Sequence, residues 1–284
     1  MLTEARVAAY RRDGFTVCEG FLSQAEVDDL LGEADAVCAG STNRCHDAAR
    51  LEMEPDQPPE GTAVRRLYEP CSYYPVARAL SELDRLVDVV EQLCGPNLVF
   101  HYSKLNVKPA EVGSVVEWHQ DLAYYPLTNR DSLAVLFYLD ETDRGNGALQ
   151  LLPGRHDSVL LEHTRDGYFQ GRVTEAVDEA EAVLAEGRAG TAVFMHGLTP
   201  HASAPNRSQR PRRTMILSYR AADAFPIYCG PMTHKAEAHV RLVRGEAARE
   251  ARFDQDRFPV PRYQGEIASL YDLQERSRVA EQGS

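Results

Sequence analysis

The chain has 284 residues, 43% hydrophobic and 26% charged, with 43 acidic against 31 basic side chains and a formal net charge of −12. That composition supports a sizeable buried core and excludes a disordered chain, while the acidity argues against a dedicated nucleic-acid binder, which would carry a basic face. No window approaches 18 consecutive apolar residues and the N-terminus lacks an apolar leader, so neither a membrane partner nor secretion is expected.

In chain order, Thr3 is placed to cap a helix that Gly14 closes, and a short strand is expected from Phe15 to Phe21. Ser23 and Glu26 form a capping-box pattern that opens a second helix, ended at Gly40. After an aperiodic stretch over 41–61, Leu80, Leu83, Leu86, Val87, Val90 and Leu93 lie on one stripe and predict a single helix ending at Gly95-Pro96. Short β-rich runs follow at 98–107, 115–125, 133–139, 148–152, 190–196 and 213–219, separated by Gly, Pro and Asn, a spacing that suggests an antiparallel sandwich or barrel. Residues 157–188 interrupt the series with an insertion expected to be partly helical over 175–184 and to act as a lid. The expected organisation is one domain over 1–284: a helical flank to about 96, a β core over 97–222 and a C-terminal extension from 223. The six cysteines are scattered without a CxxC pair, which fits reduced thiols in a cytoplasmic protein. Only Lys104, Lys108 and Lys235 among the basic residues are lysines. In so arginine-biased a chain, lysine carries slightly more functional information than arginine.

The chemistry concentrates in Trp118-His119-Gln120-Asp121-Leu122. Side chains two apart on a strand share a face, so His119 and Asp121 can point inward together. A second histidine arrives in Phe194-Met195-His196-Gly197-Leu198-Thr199-Pro200-His201. Two histidines and a carboxylate with open coordination positions suit a non-haem Fe(II) centre. An HxD tripeptide is weak by itself. An arginine in Arg210-Pro211-Arg212-Arg213, on the strand that follows, adds a group that iron does not need but a dicarboxylate cosubstrate does.

His119-Gln120-Asp121-Leu122, Tyr124-Tyr125-Pro126, the run from Gly145 to His156 and the run from His201 to Ser208 together resemble the phytanoyl-CoA dioxygenase family of Fe(II)/2-oxoglutarate oxygenases. The resemblance extends from Gly14 to about Tyr219. It implies a double-stranded β-helix (a cupin-like jelly roll, mainly β with flanking helices), Fe(II) held by His119, Asp121 and His201, and 2-oxoglutarate and dioxygen as cosubstrates. It implies Arg212, eleven residues after His201, and Ser203 as partners of the 2-oxoglutarate carboxylate, with Gln120, Phe137, Lys104 and Arg66 (or its neighbour Arg65) lining the cosubstrate. His156 and His196 then read as structural. Tyr124, and His163 and Phe169 from the lid, are the residues expected to read a small-molecule substrate. Since Asp121 fills the position a halogenase leaves vacant, hydroxylation of an unactivated C–H bond is the expected outcome, with a natural-product tailoring enzyme as the expected setting. Desaturation, cyclisation or epimerisation would use the same site. A zinc hydrolase on the same three ligands would leave the arginine idle, and a non-catalytic jelly-roll binding protein would not need an intact ligand set.

Overall fold

The N-terminal helices begin where side-chain oxygens take up free backbone N–H groups. The computed structural model describes residues 1–157, 160–228, 230–265 and 269–282. Helix α1 (Glu4–Asp13) is capped by Thr3, whose hydroxyl accepts from Arg6 N, and it ends at Gly14 with φ 83°. Glycine is required there twice, because a Cβ would also lie 2.5 Å from the Thr199 hydroxyl. Strand β1 (Phe15–Cys18) leads to α2 (Gln24–Cys38), whose capping box has both hydrogen bonds in place between Ser23 and Glu26.

After β2 (Leu51–Met53), β3 (Val64–Tyr68) and the short α3 (Pro70–Tyr73), the helix expected as one piece is two: α4 (Pro75–Ser81) and α5 (Asp84–Cys94). Leu83 between them is extended, with φ −64° and ψ 120°. The Ser81 carbonyl at the break accepts from the Tyr219 hydroxyl at 2.8 Å, so a tertiary partner satisfies what a continuing helix would have bonded. Leu80 from one piece and Leu86, Val87 and Val90 from the other still bury in the same core, and periodicity alone does not register the break.

The remaining elements are β4 (Leu98–Lys108), β5 (Val116–His119), β6 (Ser132–Tyr138), β7 (Leu149–Leu151), β8 (Thr164–Arg165), β9 (Tyr168–Phe169), β10 (Val183–Ala185), β11 (Ala192–His196), β12 (His201–Ser203), β13 (Arg212–Ala221), α6 (Pro231–Glu237), β14 (Arg241–Arg244) and α7 (Leu270–Gln282). The major antiparallel sheet runs β1-β11-β6-β13-β4-β3-β2, with β14 also paired to β4; the minor sheet runs β10-β7-β12-β5. Together they form the jelly roll, a double-stranded β-helix. The run expected as a strand to Tyr125 stops at His119 and gives way to a 3-10 turn over Asp121–Ala123. The insertion holds no α-helix among its described residues. It has a three-residue turn at Glu179–Glu181, and then Val183 and Leu184, the end of the stretch expected to be helical, pair with Leu151 and Gln150 of β7 and extend the minor sheet as β10.

Period-two alternation sorts the major sheet into two environments. Leu133, Val135, Phe137, Met215 and Leu217 face outward and pack with Val27, Leu30, Val87 and Val90 of the helices. Ala134, Leu136, Tyr138 and Ile216 face inward with Leu149 and Leu151 of the minor sheet, closing one half of the barrel. The other half of the interior is polar and holds the site. Cys18, Cys38, Cys45, Cys71 and Cys94 are free thiols. Among the described residues no helix is long and apolar enough to cross a membrane.

Candidate metal and cosubstrate site

Strands β5 and β12 lie side by side, and their register sets His119 directly opposite His201. The two imidazole centroids are 4.0 Å apart. Asp121 Oδ1 stands 3.9 Å from His119 Nε2 and 4.0 Å from His201 Nε2, and all three side chains are buried. Asp121 arrives here from the 3-10 turn, not by strand alternation; its neighbour Leu122 donates to the Gly197 carbonyl at 3.1 Å and anchors that turn. His119 Nδ1 lies 2.8 Å from the Glu117 carbonyl and His201 Nδ1 lies 3.0 Å from the Thr199 carbonyl. A carbonyl can only accept, so Nδ1 carries the proton in both rings and each Nε2 lone pair faces the gap. Burial holds both imidazole pKa values below the ordinary range, which keeps the rings in the neutral, ligating form. Two imidazoles and one carboxylate on one side of a gap suit Fe(II) with positions left open for other ligands.

At the far end of the interior, Arg212 is buried and sits opposite Lys108 in the β13–β4 ladder. Its Nη1 donates to the Gly147 carbonyl, while its Nε is buried without a partner among the described residues. Burial alone lowers its pKa. A buried guanidinium N–H with nothing to donate to is costly unless a ligand supplies the acceptor, and a carboxylate fits it. Ser203, two residues after His201 on β12, is buried, and its carbonyl accepts from Lys108 Nζ at 3.3 Å. Lys108 also donates to the carbonyls of Ser114, at 2.8 Å, and Ala204, so it ties the strand bearing His201 and Ser203 to the strand facing Arg212. Arg213 points the other way and grips Asp140 with two nitrogens, at 3.0 and 2.8 Å.

A cavity of about 100 Å³ opens beside His119 and Asp121. Arg66 and Lys104 line it from β3 and β4. Arg66 Nε donates to Asn106 at 3.0 Å, and its Nη2 is buried without a partner among the described residues. Burial, helped by the Arg66 charge, pulls Lys104 down to about 8. Glu69, in the left-handed conformation with φ 53°, also lines the cavity, and burial pushes its carboxyl up to about 8 even though Ser103 N donates to it at 2.9 Å. Tyr124 forms part of the wall edge-on to His119, with centroids 5.8 Å apart, and its hydroxyl donates to the Gly171 carbonyl.

Several expected residues sit elsewhere. Phe137 faces the helices and packs on Phe21 at 5.7 Å; its neighbour Tyr138 is the inward residue, because alternation reverses the face at each step. Gln120 does not line the cavity. Its amide donates to the Leu198 carbonyl at 2.7 Å and accepts from Leu161 N at 2.8 Å, joining the insertion to the loop before His201. His163 and Phe169 lie behind the wall: the His163 ring stacks on Phe169 and accepts from Gln120 N, and Phe169 supports Tyr124 edge-on at 5.0 Å. Burial holds His163 down to about 4. His196, which burial lowers to about 3, pairs with His156 at 5.3 Å on another side of β11.

The sequence reading missed the role of α7. Gln274 donates to the Gly171 carbonyl at 2.6 Å and accepts from Glu117 N at 3.1 Å, and Tyr271 lies under the guanidinium groups of Arg65 and Arg66. Leu270, Tyr271, Gln274 and Ser277 are buried along one helical stripe, a signal present in the sequence but partly polar.

The sequence pattern described as Phytanoyl-CoA dioxygenase matches residues 10–214. A probable alpha-ketoglutarate-dependent hypophosphite dioxygenase of Stutzerimonas stutzeri is 34% identical over 229 residues, covering 78% of this chain and 80% of that one. An ectoine dioxygenase of Bordetella parapertussis is 28% identical over 241 residues, covering 78% and 76%. The crystal structure of EctD from S. alaskensis with 2-oxoglutarate and 5-hydroxyectoine superposes with a TM-score of 0.65 at 26% identity, covering 78% of this chain and 77% of that chain. The match over most of the β core, together with two histidines and an aspartate converging in its interior and a buried arginine whose Nε has no partner among the described residues, places this chain in the phytanoyl-CoA dioxygenase family of Fe(II)/2-oxoglutarate oxygenases.

Proposed function

We propose that the protein is an Fe(II)/2-oxoglutarate-dependent oxygenase that hydroxylates an unactivated C–H bond of a small molecule, with tailoring of a natural-product building block as its setting. The observation that carries this reading is the pairing of a complete metal-ligand set with a buried Arg212 Nε that has no partner. His119, Asp121 and His201 would hold the iron, and Arg212 with Ser203 would hold the far carboxylate of 2-oxoglutarate. The bound metal supplies activation of dioxygen, so that substrate C–H, 2-oxoglutarate and dioxygen become C–OH, succinate and carbon dioxide. The protein's own contribution is position and exclusion of water. The carbonyls of Glu117 and Thr199 orient the histidines, Lys108 fixes the β12 end, and Tyr124 backed by Phe169 and His163 seals one wall. Relatives named for hypophosphite and ectoine support a small substrate. A zinc hydrolase would leave the Arg212 nitrogen unpaired.

The test is succinate formation by the purified chain. Succinate should appear only when Fe(II), 2-oxoglutarate and dioxygen are all supplied, and zinc should not replace iron. Hydrolysis of an ester or amide with zinc, and no succinate with iron, would reverse the assignment.

A further inference from the structure

Lysine occurs three times in this chain, and two of the three line the cavity beside the metal ligands. Lys104 comes from β4 and Lys235 from α6, and Arg66 joins them from β3. Neither lysine ammonium has a hydrogen bond or ion pair among the described residues. Arg66 is 3% exposed and its Nη2 has no hydrogen-bond partner among the described residues. Three separate chain segments thus bring cationic donors to one small space: Arg66 Nη2 and the half-buried Lys104, which are costly in the empty protein and favourable once an anion supplies acceptors, and Lys235, which stands exposed at the rim.

The charge balance points the same way. Glu52 and Glu54 are committed to Arg65 and Arg66. With iron and 2-oxoglutarate bound, the charges of the metal, Asp121, the two cosubstrate carboxylates and Arg212 cancel. Lys104 and Lys235 then face only Glu69, and positive charge is left over whichever way Glu69 is ionised. The cavity is about 100 Å³, well under the roughly 300–1,000 Å³ of sites for drug-sized ligands. It adjoins a cleft of about 670 Å³ that shares Tyr68, Glu69 and Lys235, so it is the group seated beside the metal that has few heavy atoms.

We infer that the substrate presents a small oxyanionic group, of phosphonate, phosphite or carboxylate type, to Lys104, Lys235 and Arg66 beside the metal. The inference rests on the oxygenase reading only in giving this cavity to the substrate. Arg66 or Lys104 can also assist the cosubstrate carboxylate at the metal; Lys235, on α6, distinguishes the substrate's anion from the cosubstrate's.

The test uses the full chain loaded with Fe(II) and saturating 2-oxoglutarate without dioxygen, titrated calorimetrically with methylphosphonate, phosphite, acetate and the neutral isostere dimethyl sulfone. At least one anion should bind about tenfold more tightly than dimethyl sulfone, and the preferred anion names the class. Lys235→Ala should weaken that anion about tenfold and Lys235→Arg should restore most of the loss; Lys235 is exposed, so both variants should fold, as a melting curve will show. Equal binding of the sulfone, no effect of Lys235→Ala, or displacement of 2-oxoglutarate by the anion would each overturn the inference. Succinate formation by the wild-type chain is scored separately. Succinate without anion selectivity defeats only this inference, and anion binding without succinate defeats only the oxygenase reading.

Discussion

The two faces of the major sheet are built from the same strands and differ in what they leave unfinished. On the outer face Leu133, Val135, Phe137, Met215 and Leu217 meet helix side chains, and the contact is complete within the chain. On the inner face Arg66, Arg212 and Thr214 each keep a buried polar atom without a partner among the described residues. A dry face needs volume and shape, and residues of similar size can exchange there at modest cost. A face with unpaired donors describes its ligand, because each such group is costly until something binds it.

The largest expected effect breaks the inner face at the metal. Asp121→Ala should abolish iron binding and succinate formation while moving the melting temperature by no more than about 4 °C, because the stabilising core lies outside the site. Iron content and a melting curve measured on one preparation check this, and retained iron would remove Asp121 from the ligand set.

Next is the outer face. Phe137→Ala should cost about 3–5 kcal/mol of unfolding free energy, a large share of a typical total, with the 2-oxoglutarate requirement unchanged. Urea unfolding alongside 2-oxoglutarate titration would show it. A raised cosubstrate requirement in a well-folded variant would mean that Phe137 does touch the ligand.

A third prediction sets adjacent residues of β13 against each other. Arg212→Ala should weaken 2-oxoglutarate by about tenfold or more, since the far carboxylate loses its buried partner. Arg213→Ala breaks a partly exposed pair with Asp140 and should change cosubstrate binding much less. Calorimetric titration of both variants decides the order, and the reverse order would shift the inward face by one residue.

The last comparison is in pH. The folded chain holds Glu69 protonated up to about 8, by burial, whereas the unfolded chain releases that proton near the ordinary 4.5. The folded form therefore binds more protons between those values, so this contribution to stability is full below 4.5 and declines as pH rises toward 8. Glu26 works in the opposite sense. Its bond to Arg85 holds it down to about 2, so its contribution is full above 4.5 and is lost as pH falls through 2, and it is small because the pair is exposed. Urea unfolding at several pH values should show the Glu69 slope flatten in Glu69→Gln; an unchanged slope would assign it to another group.

Much of the fold is legible in the sequence alone. Caps are contacts over three or four residues, so Thr3, Gly14 and the Ser23–Glu26 box could be read locally, and the structure has them where they were expected. The motif order from His119 to Arg212 carried the family and the jelly roll. Other expectations depended on partners distant in sequence. The break between α4 and α5 coincides with the Tyr219 bond to Ser81, 138 residues away. Whether Phe137 or Tyr138 faces inward depends on the ladder with β11 and β13, and a period of two makes a one-residue error a complete reversal.

By itself, then, the sequence determined the local starts and stops, the strand-rich core and the chemical types available for a site, because these follow from short-range hydrogen bonding and residue periodicity. Tertiary structure alone decided which of those groups meet. It brought Asp121 in through a turn, set the cations of β3, β4 and α6 around one cavity, and laid α7 against the site wall. Those choices are made by burial and by unpaired polar groups finding partners across the fold, and a linear pattern carries no record of them.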